Sequence, residues 1–330
     1  MIEAALTGCE LIQRQFNRSK MISVKSRSKK LQDCQIDVKA GDSNALVSAL
    51  EQVSKHNKNI SVHRLRLTYL KDDKHVPITE AKYFADVDDN LQLYIKDLGP
   101  QVGWRLVFFV EYLGPILVHS LLYCLSTNES VRNMVHANKA NYDPALNKIA
   151  FILVLVHYVK RELETIFLHR FTLATMPLFN IFKNSFHYWI LNGAIALGYF
   201  GFGFVFSTDK LSWVYRALHQ VQLSTLISLF LLSESWNFYI HLKLRVYGDQ
   251  QKLKGNATKR VAINDGIFNL LVAPNYTFEV WSWVWFTVIF KFNFFALVFL
   301  AVSATQMYFW AMKKNKKYGT KRAFFIPYIF

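Results

Sequence analysis

The stretch Trp104-Arg-Leu-Val-Phe-Phe-Val-Glu-Tyr-Leu-Gly-Pro-Ile-Leu-Val-His-Ser-Leu-Leu-Tyr-Cys-Leu125 decides the fold class. A helix that crosses a bilayer needs about 20 consecutive, mostly apolar residues. This stretch has that length, and Arg105 and Glu111 are its formally charged residues. The sequence therefore predicts that it crosses a membrane as an α-helix.

Further apolar stretches of this kind follow. They are Lys148–Leu168, Phe186–Phe206, Leu211–Leu232 and Tyr276–Trp310. The last is too long for one span and is interrupted by Lys291-Phe-Asn293, so we divide it there and expect about six spans. A hydrophobic content of 52% and an aromatic content of 16% agree, because soluble domains are lower in both. We expect a mainly α, polytopic membrane helix bundle.

The charges indicate which side of the membrane each loop occupies. The formal net charge is +16, and the basic residues cluster beside the apolar runs. Six spans place the N-terminal region, the loops 169–185 and 233–275 and the C-terminal tail on one side, which carries most of these bases. Cytoplasmic loops carry such an excess, so both termini are predicted to be cytosolic. Membrane sidedness explains the charge, and we expect no nucleic-acid partner.

A charged segment with a different pattern precedes the first span. Apolar and polar residues alternate in Met21–Ser26, Gln35–Lys39, His63–Tyr69 and Leu91–Ile95, which predicts four strands. Asp42 or Ser43 is expected to cap a helix bearing Leu46, Leu50 and Val53. This order resembles the ubiquitin-like β-grasp fold.

The resulting domain prediction has three parts. Residues 1–20 are a disordered extension, 21–97 a small cytosolic ubiquitin-like domain for docking or folding, and 98–330 the membrane domain. No cleaved signal peptide is expected, so the first span serves as the targeting signal.

Several chemistries are excluded by what the sequence lacks. Cys9, Cys34 and Cys124 have no close spacing, which argues against a disulfide framework and a zinc site. The ten histidines form none of the HxxxH or HxxHH clusters that bind iron in membrane desaturases or mark the elongases. We expect no metal. No G-x-G-x-x-G follows a strand, so any nicotinamide cofactor must bind without a Rossmann domain.

Ionisable residues within membrane spans are costly and are therefore candidates for function. Glu111 lies two turns into the first span, and Lys160 lies near the end of the second. Lys160 and Glu164 share a helical face. For Arg161 and Glu162 we expect side chains that extend to solvent at the helix end.

Two further groups lie near the cytosolic ends of later spans. Asn237, His241 and Arg245 recur every four residues and form a polar stripe suited to phosphate and ribose groups. Pro274 suits the first turn of the fifth span, where Asn275 and Glu279 share a face. Tyr276 stands beside them, either as a functional group or as an aromatic residue of the membrane interface.

Taken together, these segments resemble the very-long-chain trans-2-enoyl-CoA reductases, within the steroid 5-alpha-reductase family. The resemblance runs from Met21 to the C-terminus. It rests on Lys96-Asp-Leu-Gly-Pro100, Trp104-Arg-Leu-Val-Phe-Phe, Glu111-Tyr-Leu-Gly-Pro115, His157-Tyr-Val-Lys160-Arg-Glu162, His169-Arg-Phe, Trp236-Asn237 with His241, and Pro274-Asn-Tyr276.

The resemblance implies NADPH-dependent reduction of a long-chain trans-2-enoyl-CoA, the last step of fatty-acid elongation, which also serves sphingolipid synthesis. It implies Glu111, Lys160 and Tyr276 as catalytic residues. Tyr276 would act as proton donor or enolate partner, Lys160 would lower its pKa or stabilise charge, and Glu111 would orient the substrate. The roles of Lys160 and Tyr276 can be exchanged without conflict with the sequence.

The resemblance also implies a cofactor site. The matching residues are Asn237, His241, Arg245, Arg260, Asn275 and Glu279. This chain departs from the relatives at two places: His241 stands where steroid reductases carry an acid, and only a short run follows Tyr318 where relatives have an acidic, proline-containing stretch.

The implied setting is the endoplasmic reticulum membrane, with an elongase, a ketoreductase and a dehydratase as partners besides the lipid bilayer. Two alternatives remain open: reduction of a steroid or polyprenol enone by the same fold, and a non-enzymatic membrane scaffold.

Overall fold

The computed structural model describes residues 19–39, 41–84, 91–171, 174–206, 222–254 and 261–326. The described residues up to Gly103, with 174–178, form one unit, and the rest form a second. The first unit is a small sheet with one longer helix, whereas the second is almost entirely helical. The predicted mainly α fold class with a small N-terminal sheet region is confirmed.

The N-terminal unit is built on a five-stranded sheet. Its main elements are β1 (Ser19–Ser26), β2 (Cys34–Lys39), α1 (Ala45–His56), β3 (Leu65–Lys71), β4 (Lys74–Pro77) and β5 (Gln92–Asp97). The strand order is β2-β1-β5-β3-β4, in which β1 and β5 are parallel and the other neighbours antiparallel. The helix buries Ala45, Ala49 and Val53.

The predicted strands are all present, because alternation puts one side chain in two into the core. In β2, for example, Cys34, Ile36 and Val38 are buried. The short strand β4 was not predicted. The cap prediction is wrong: α1 is preceded by Asn44, which makes no side-chain cap, and Asp42 instead accepts a hydrogen bond from the Asn44 N–H at 2.8 Å.

Two short strands and a set of helices complete the structure. The strands β6 (Gln101–Gly103) and β7 (Thr175–Pro177) pair antiparallel in the first unit. The α-helices of the second unit are α2 (Trp104–Thr127), α3 (Glu129–Met134), α4 (Pro144–Leu163), α5 (Phe179–Ser185), α6 (Leu223–Leu253), α7 (Pro274–Ile289) and α8 (Phe294–Tyr318). A π-helical turn, Glu164–Leu168, extends α4.

Two of the described helices, α2 and α8, are long and apolar enough to cross a membrane. The prediction of six spans is not confirmed. The third predicted span continues from α5 as a π-helix (Phe186–Asn192) and a 3-10 helix (Gly193–Phe200). The 3-10 helix contains Gly193 and Gly198, and glycine has a low propensity for the α-helix. Residues 211–221 of the fourth predicted span lie outside the described residues.

The predicted break at Lys291-Phe-Asn293 is confirmed. Helix α7 ends at Ile289, and Lys291 and Phe292 adopt positive φ angles of 52°. The Asn293 side chain then caps α8 by accepting a hydrogen bond from the Phe295 N–H at 3.1 Å.

An aromatic core joins the helices of the second unit. Tyr112 of α2, Tyr158 of α4, Phe230 of α6 and Phe286 of α7 are almost completely buried in it. Helix α6 packs along α7, and α2 packs against α4. Of the polar residues singled out in the sequence, those that the structure describes lie on these four helices or on the π-helical turn that extends α4.

Candidate active site

Lys160 lies near the end of α4 among acidic and amide side chains. Its Nζ is 2.7 Å from Glu234 Oε2 and 2.6 Å from Asn237 Oδ1. Glu164 contributes a carboxylate oxygen at 3.7 Å, as the shared helical face predicts. The second oxygen of Glu234, a residue 4% exposed, binds His157 Nδ1 at 2.8 Å. Buried carboxylates therefore compensate the ammonium charge.

Asn237 connects α6 to α7. Its Oδ1 accepts the hydrogen bond from Lys160, and its Nδ2 donates to the backbone carbonyl of Asn275 at 2.8 Å. One end of the amide faces a cation and the other a carbonyl, which fixes its orientation. Since Asn275 directly precedes Tyr276, the connection from Lys160 reaches the first turn of α7.

The start of α7 is held in place by the C-terminal tail. The Val272 N–H donates to the Ala323 carbonyl at 2.9 Å, and the Ala323 N–H donates to the Leu270 carbonyl at 3.0 Å. Pro274 then occupies the first helical position, as predicted. This arrangement sets the position of Tyr276.

The side chain of Tyr276, in the first turn of α7, packs against α8. Lys314 Nζ stands 4.1 Å from the centroid of its ring, and the ring of Trp310 is 6.0 Å away. A lysine ammonium over an aromatic face is attracted to the ring. The side chain is partly buried, and its backbone is linked to Lys160 through Asn275 and Asn237.

Arg161 is the centre of a second buried cluster. Its Nη1 donates to Glu164 Oε2 at 2.5 Å and to His241 Nε2 at 3.1 Å, and its Nη2 donates to the Tyr112 hydroxyl at 2.8 Å. The prediction that Arg161 extends to solvent is wrong, because these partners replace water and leave the residue 7% exposed. Glu162 is also buried, contrary to prediction.

Two histidines adjoin this cluster. His169 Nε2 lies 3.2 Å from His241 Nδ1 and 4.0 Å from Glu164 Oε2. Burial, with Arg161 and Lys160 nearby, lowers the pKa of His169 to about 3, so this imidazole is neutral. The ligand atoms of the two histidines and Glu164 lie within 4.8 Å of one another, a spacing that could hold a metal ion. Arg161 donates to two of the three, however, and its charge opposes a cation there.

Two further carboxylates act on Arg161. Glu111, 1% exposed on α2, accepts a hydrogen bond from Asn184 Nδ2 at 2.7 Å and interacts electrostatically with Arg161. Glu279 on α7 also interacts electrostatically with this arginine. Residues predicted from separate segments are thus brought together around Arg161.

The polar stripe of α6 changes from buried to partly exposed along its length. Asn237 and His241 are buried, whereas Arg245 is partly exposed. Arg245 donates to the Leu168 carbonyl at 2.7 Å and to Asp249 Oδ2 at 3.0 Å. Arg260, also predicted to contact the cofactor, lies outside the described residues.

Sequence reasoning missed several residues of this site: Glu234, His157, Asn184 and Tyr112. The spacing of Glu234 three residues before Asn237 places both on one helical face and was a usable signal. The partners of Asn184 and Tyr112 come from distant segments, which spacing within one helix cannot reveal.

Comparison with known proteins gives the family. Residues 174–330 match the family model described as 3-oxo-5-alpha-steroid 4-dehydrogenase. A Schizosaccharomyces pombe protein provisionally named an enoyl reductase is 37% identical over 261 residues, 78% of this chain and 80% of that protein. The very-long-chain enoyl-CoA reductase of Dictyostelium discoideum is 33% identical over 226 residues, 68% of this chain and 67% of its own.

A Caenorhabditis elegans protein provisionally named a very-long-chain enoyl-CoA reductase is 32% identical over 285 residues, 82% of this chain and 87% of that protein. This family and the two apolar helices indicate a membrane protein. The chain belongs to the very-long-chain enoyl-CoA reductases of the steroid 5-alpha-reductase family.

Proposed function

We propose that this chain reduces long-chain trans-2-enoyl-CoA to the saturated acyl-CoA with NADPH, as the last step of very-long-chain fatty-acid elongation. Family membership supports the reaction class. The observation that carries the assignment of the site is the hydrogen-bonded connection from Lys160 through Asn237 to Asn275. It joins α4, α6 and the start of α7 at residues that match the motifs of the family.

The residues around Arg161 fit a polar cofactor. Among the described residues, buried polar atoms without a hydrogen-bond partner include Arg161 Nε and, on two residues that interact electrostatically with Arg161, the Tyr158 hydroxyl and Glu164 Oε1. Buried polar atoms normally have partners, so this group suits a ligand rich in hydrogen-bonding groups.

We assign the contacts to NADPH to residues on α6, α7 and the segment between them: Asn237, His241, Arg245, Arg260, Asn275 and Glu279. When bound, the cofactor supplies a hydride for the β-carbon of the enoyl group. Arg245 offers a cation at the exposed end of the stripe, which suits a phosphate. The buried Asn237 and His241 lie further along the same stripe, where hydrogen bonds to Lys160, Asn275, Arg161 and His169 fix the orientation of their side chains.

Residues of the protein stabilise the charge that develops on the substrate and supply the proton. Lys160 stabilises the negative charge that develops toward the thioester oxygen, since a preformed cation in a water-poor site is most effective there. Tyr276, with the Lys314 ammonium 4.1 Å from the centroid of its ring, delivers a proton to the α-carbon. Glu111 orients the substrate end.

The remaining assignments concern the cellular setting. We assign residues 21–97 to a ubiquitin-like docking domain and 98–330 to the catalytic domain. We place the protein in the endoplasmic reticulum membrane with both termini cytosolic, beside the elongase, ketoreductase and dehydratase of the cycle. Its product also serves sphingolipid synthesis.

The decisive experiment measures NADPH oxidation by purified, detergent-solubilised protein given a long trans-2-enoyl-CoA. Wild type should turn over. Tyr276→Phe should lower kcat by about 10²- to 10⁴-fold, the usual contribution of a positioned proton donor. Tyr239→Phe is the matched control because Tyr239 is 49% exposed on α6, and it should leave kcat unchanged.

Two outcomes would contradict the proposal. A folded wild type without turnover, with NADH tried as well, would exclude enoyl-CoA reduction. Turnover of an enone steroid but not of the thioester would show that the substrate is a steroid or polyprenol enone.

A further inference from the structure

We infer that Glu234 is a positioning residue that holds Lys160 against Asn237, and that the reaction depends on this hold. The inference rests on the proposed function, because Lys160 is assigned its catalytic role there. Glu234 itself contacts neither of the two other proposed catalytic residues, Glu111 and Tyr276, among its described hydrogen bonds and ion pairs.

The carboxylate of Glu234 is shared between two residues of α4. Its Oε1 binds His157 Nδ1 at 2.8 Å, and its Oε2 lies 2.7 Å from Lys160 Nζ. His157 and Lys160 are three apart, as are Glu234 and Asn237 on α6, so each pair lies on one helical face. The two faces meet to form a cluster of four polar side chains.

Burial makes this carboxylate dependent on its partners. Glu234 is 4% exposed and His157 is 2% exposed. A buried charge is strongly unfavourable unless it is paired and hydrogen-bonded. The buried Glu234 carboxylate therefore requires the Lys160 ammonium, whose side chain is 16% exposed.

Lys160 has a competing partner if Glu234 is removed. Glu164, on the same face of the α4 segment, already lies 3.7 Å from Nζ. A lysine side chain has four rotatable bonds and one compact charge, so it readily follows the nearest carboxylate. Without Glu234, Nζ should move toward Glu164 and lose the 2.6 Å contact with Asn237.

A displaced ammonium is expected to affect catalysis more than binding. A displacement of about 1 Å can cost about 10²-fold in rate, because the reacting groups are no longer prealigned. The described hydrogen bonds and ion pairs of Glu234 reach His157 and Lys160, and no substrate contact is assigned to it, so substrate affinity should change little.

The test compares Glu234→Gln with Glu162→Gln in the full-length, detergent-solubilised protein. Both variants replace a buried glutamate by its neutral isostere, but the Glu162 carboxylate makes no hydrogen bond among the described residues. Glu234→Gln should lower kcat by about 10²-fold with KM for the enoyl-CoA within about twofold. Glu162→Gln should leave kcat unchanged.

A second readout does not need turnover. Reductive methylation of the intact, folded protein, followed by digestion and mass spectrometry of the peptide that contains Lys160, reports how firmly this ammonium is held. It should be slow in wild type and several-fold faster in Glu234→Gln. Glu234→Asp, which keeps the charge on a shorter side chain, should be intermediate in both methylation and kcat.

The outcomes separate the two claims. Wild-type turnover with unchanged kcat in Glu234→Gln would overturn the positioning role and leave the proposed function standing. If wild type does not turn over, but its Lys160 is methylated slowly and that of Glu234→Gln is methylated faster, the proposed function is overturned and the ion pair stands. If Glu234→Gln does not fold, Glu234→Asp decides, and wild-type kcat and methylation in that variant would overturn the inference.

Discussion

The side-chain amide of Asn237 donates to the backbone carbonyl of Asn275 at 2.8 Å, so a residue of α6 holds the residue before Tyr276. The same amide accepts a hydrogen bond from Lys160. One short polar side chain thus connects Lys160 to the backbone of the residue that precedes Tyr276. Its amide is needed at both ends, since a carboxylate could only accept.

Asn237→Asp should therefore keep the hydrogen bond from Lys160 and break the one to the Asn275 carbonyl. The aspartate can still accept from Lys160 but cannot donate to the Asn275 carbonyl, and two acceptors then face each other. We expect kcat to fall by about 10²-fold and the Tm to drop, since a buried unpaired acceptor costs about 1–3 kcal/mol.

Ser235→Ala is the matched control for Asn237→Asp. Ser235 is exposed on the same helix, and its hydroxyl bonds only to the Leu231 carbonyl of that helix among its described contacts. NADPH oxidation and thermal unfolding should match wild type. An Asn237→Asp variant with wild-type kcat would remove the connection from the mechanism.

Arg161 is expected to contribute strongly to stability, because it is buried with Tyr112, Glu164 and His241 around it. Arg161→Met removes the nearest cation from the buried Glu164 carboxylate, which then keeps Lys160 at 3.7 Å as its remaining lysine or arginine partner among the described residues. Breaking a buried ion pair in this way costs about 3–5 kcal/mol. The Tm in detergent should fall by several degrees, or the variant should fail to fold.

The control is Arg170→Met. Arg170 pairs with Asp249 at 2.8 Å, but its side chain is 50% exposed, and exposed ion pairs contribute about 0–1 kcal/mol. Its Tm should stay near that of wild type. An equal fall in Tm in the two variants would show that Arg161 contributes no more to stability than an exposed ion pair does.

Part of the fold follows from sequence patterns within single helices and strands, and part depends on contacts between them. Alternation and helical spacing are local, and they correctly predicted β1, β2, the shared face of Lys160 and Glu164, and the break before Asn293. The same patterns wrongly predicted that Arg161 extends to solvent, because its burial depends on Tyr112 and His241, which lie on other helices. Local spacing fixes which residues share a face but not what that face meets.

The third predicted span shows the same limit in the backbone. Its apolar content is typical of a membrane helix, but Gly193 packs close to Val118 and Gly198 close to Phe290. Such close approaches, with the weak α-propensity of glycine, accompany a π-helix and a 3-10 helix in place of an α-helix. Hydropathy alone does not distinguish these conformations.

In the N-terminal unit, stability should depend on pH through Asp97. Arg64 binds its carboxylate in a two-point arrangement at 2.6 and 3.1 Å, and these hydrogen bonds lower the pKa of Asp97 below its ordinary value. A lowered folded-state pKa means that the stabilisation is complete above the unfolded pKa, about 3.9, and is lost as the pH falls through the folded value.

Asp97→Asn should thus destabilise this unit by about 1 kcal/mol at neutral pH, since Arg64 is partly exposed. The difference from wild type should shrink below about pH 4. Hydrogen exchange of β3 and β5 in the full-length protein measures both effects. Glu80→Gln, at the exposed Lys82 pair, is the control; a pH-independent difference for Asp97→Asn would contradict the linkage.

Gly114 should be the least replaceable glycine of the described helices, because a Cβ there would lie 2.0 Å from the Trp189 Nε1. The indole cannot easily move away, since its Nε1–H donates to the Val110 carbonyl at 2.9 Å. Gly114→Ala therefore forces α2 and the π-helix of Trp189 apart, with a cost of about 1–3 kcal/mol. Gly248→Ala on α6 meets nothing within 4 Å and should instead raise stability by about 0.5–1 kcal/mol, because alanine favours the helix. Thermal unfolding of both variants in the same detergent measures the contrast. If Gly114→Ala is as stable as Gly248→Ala, α2 and Trp189 are not packed as closely as the structure has them.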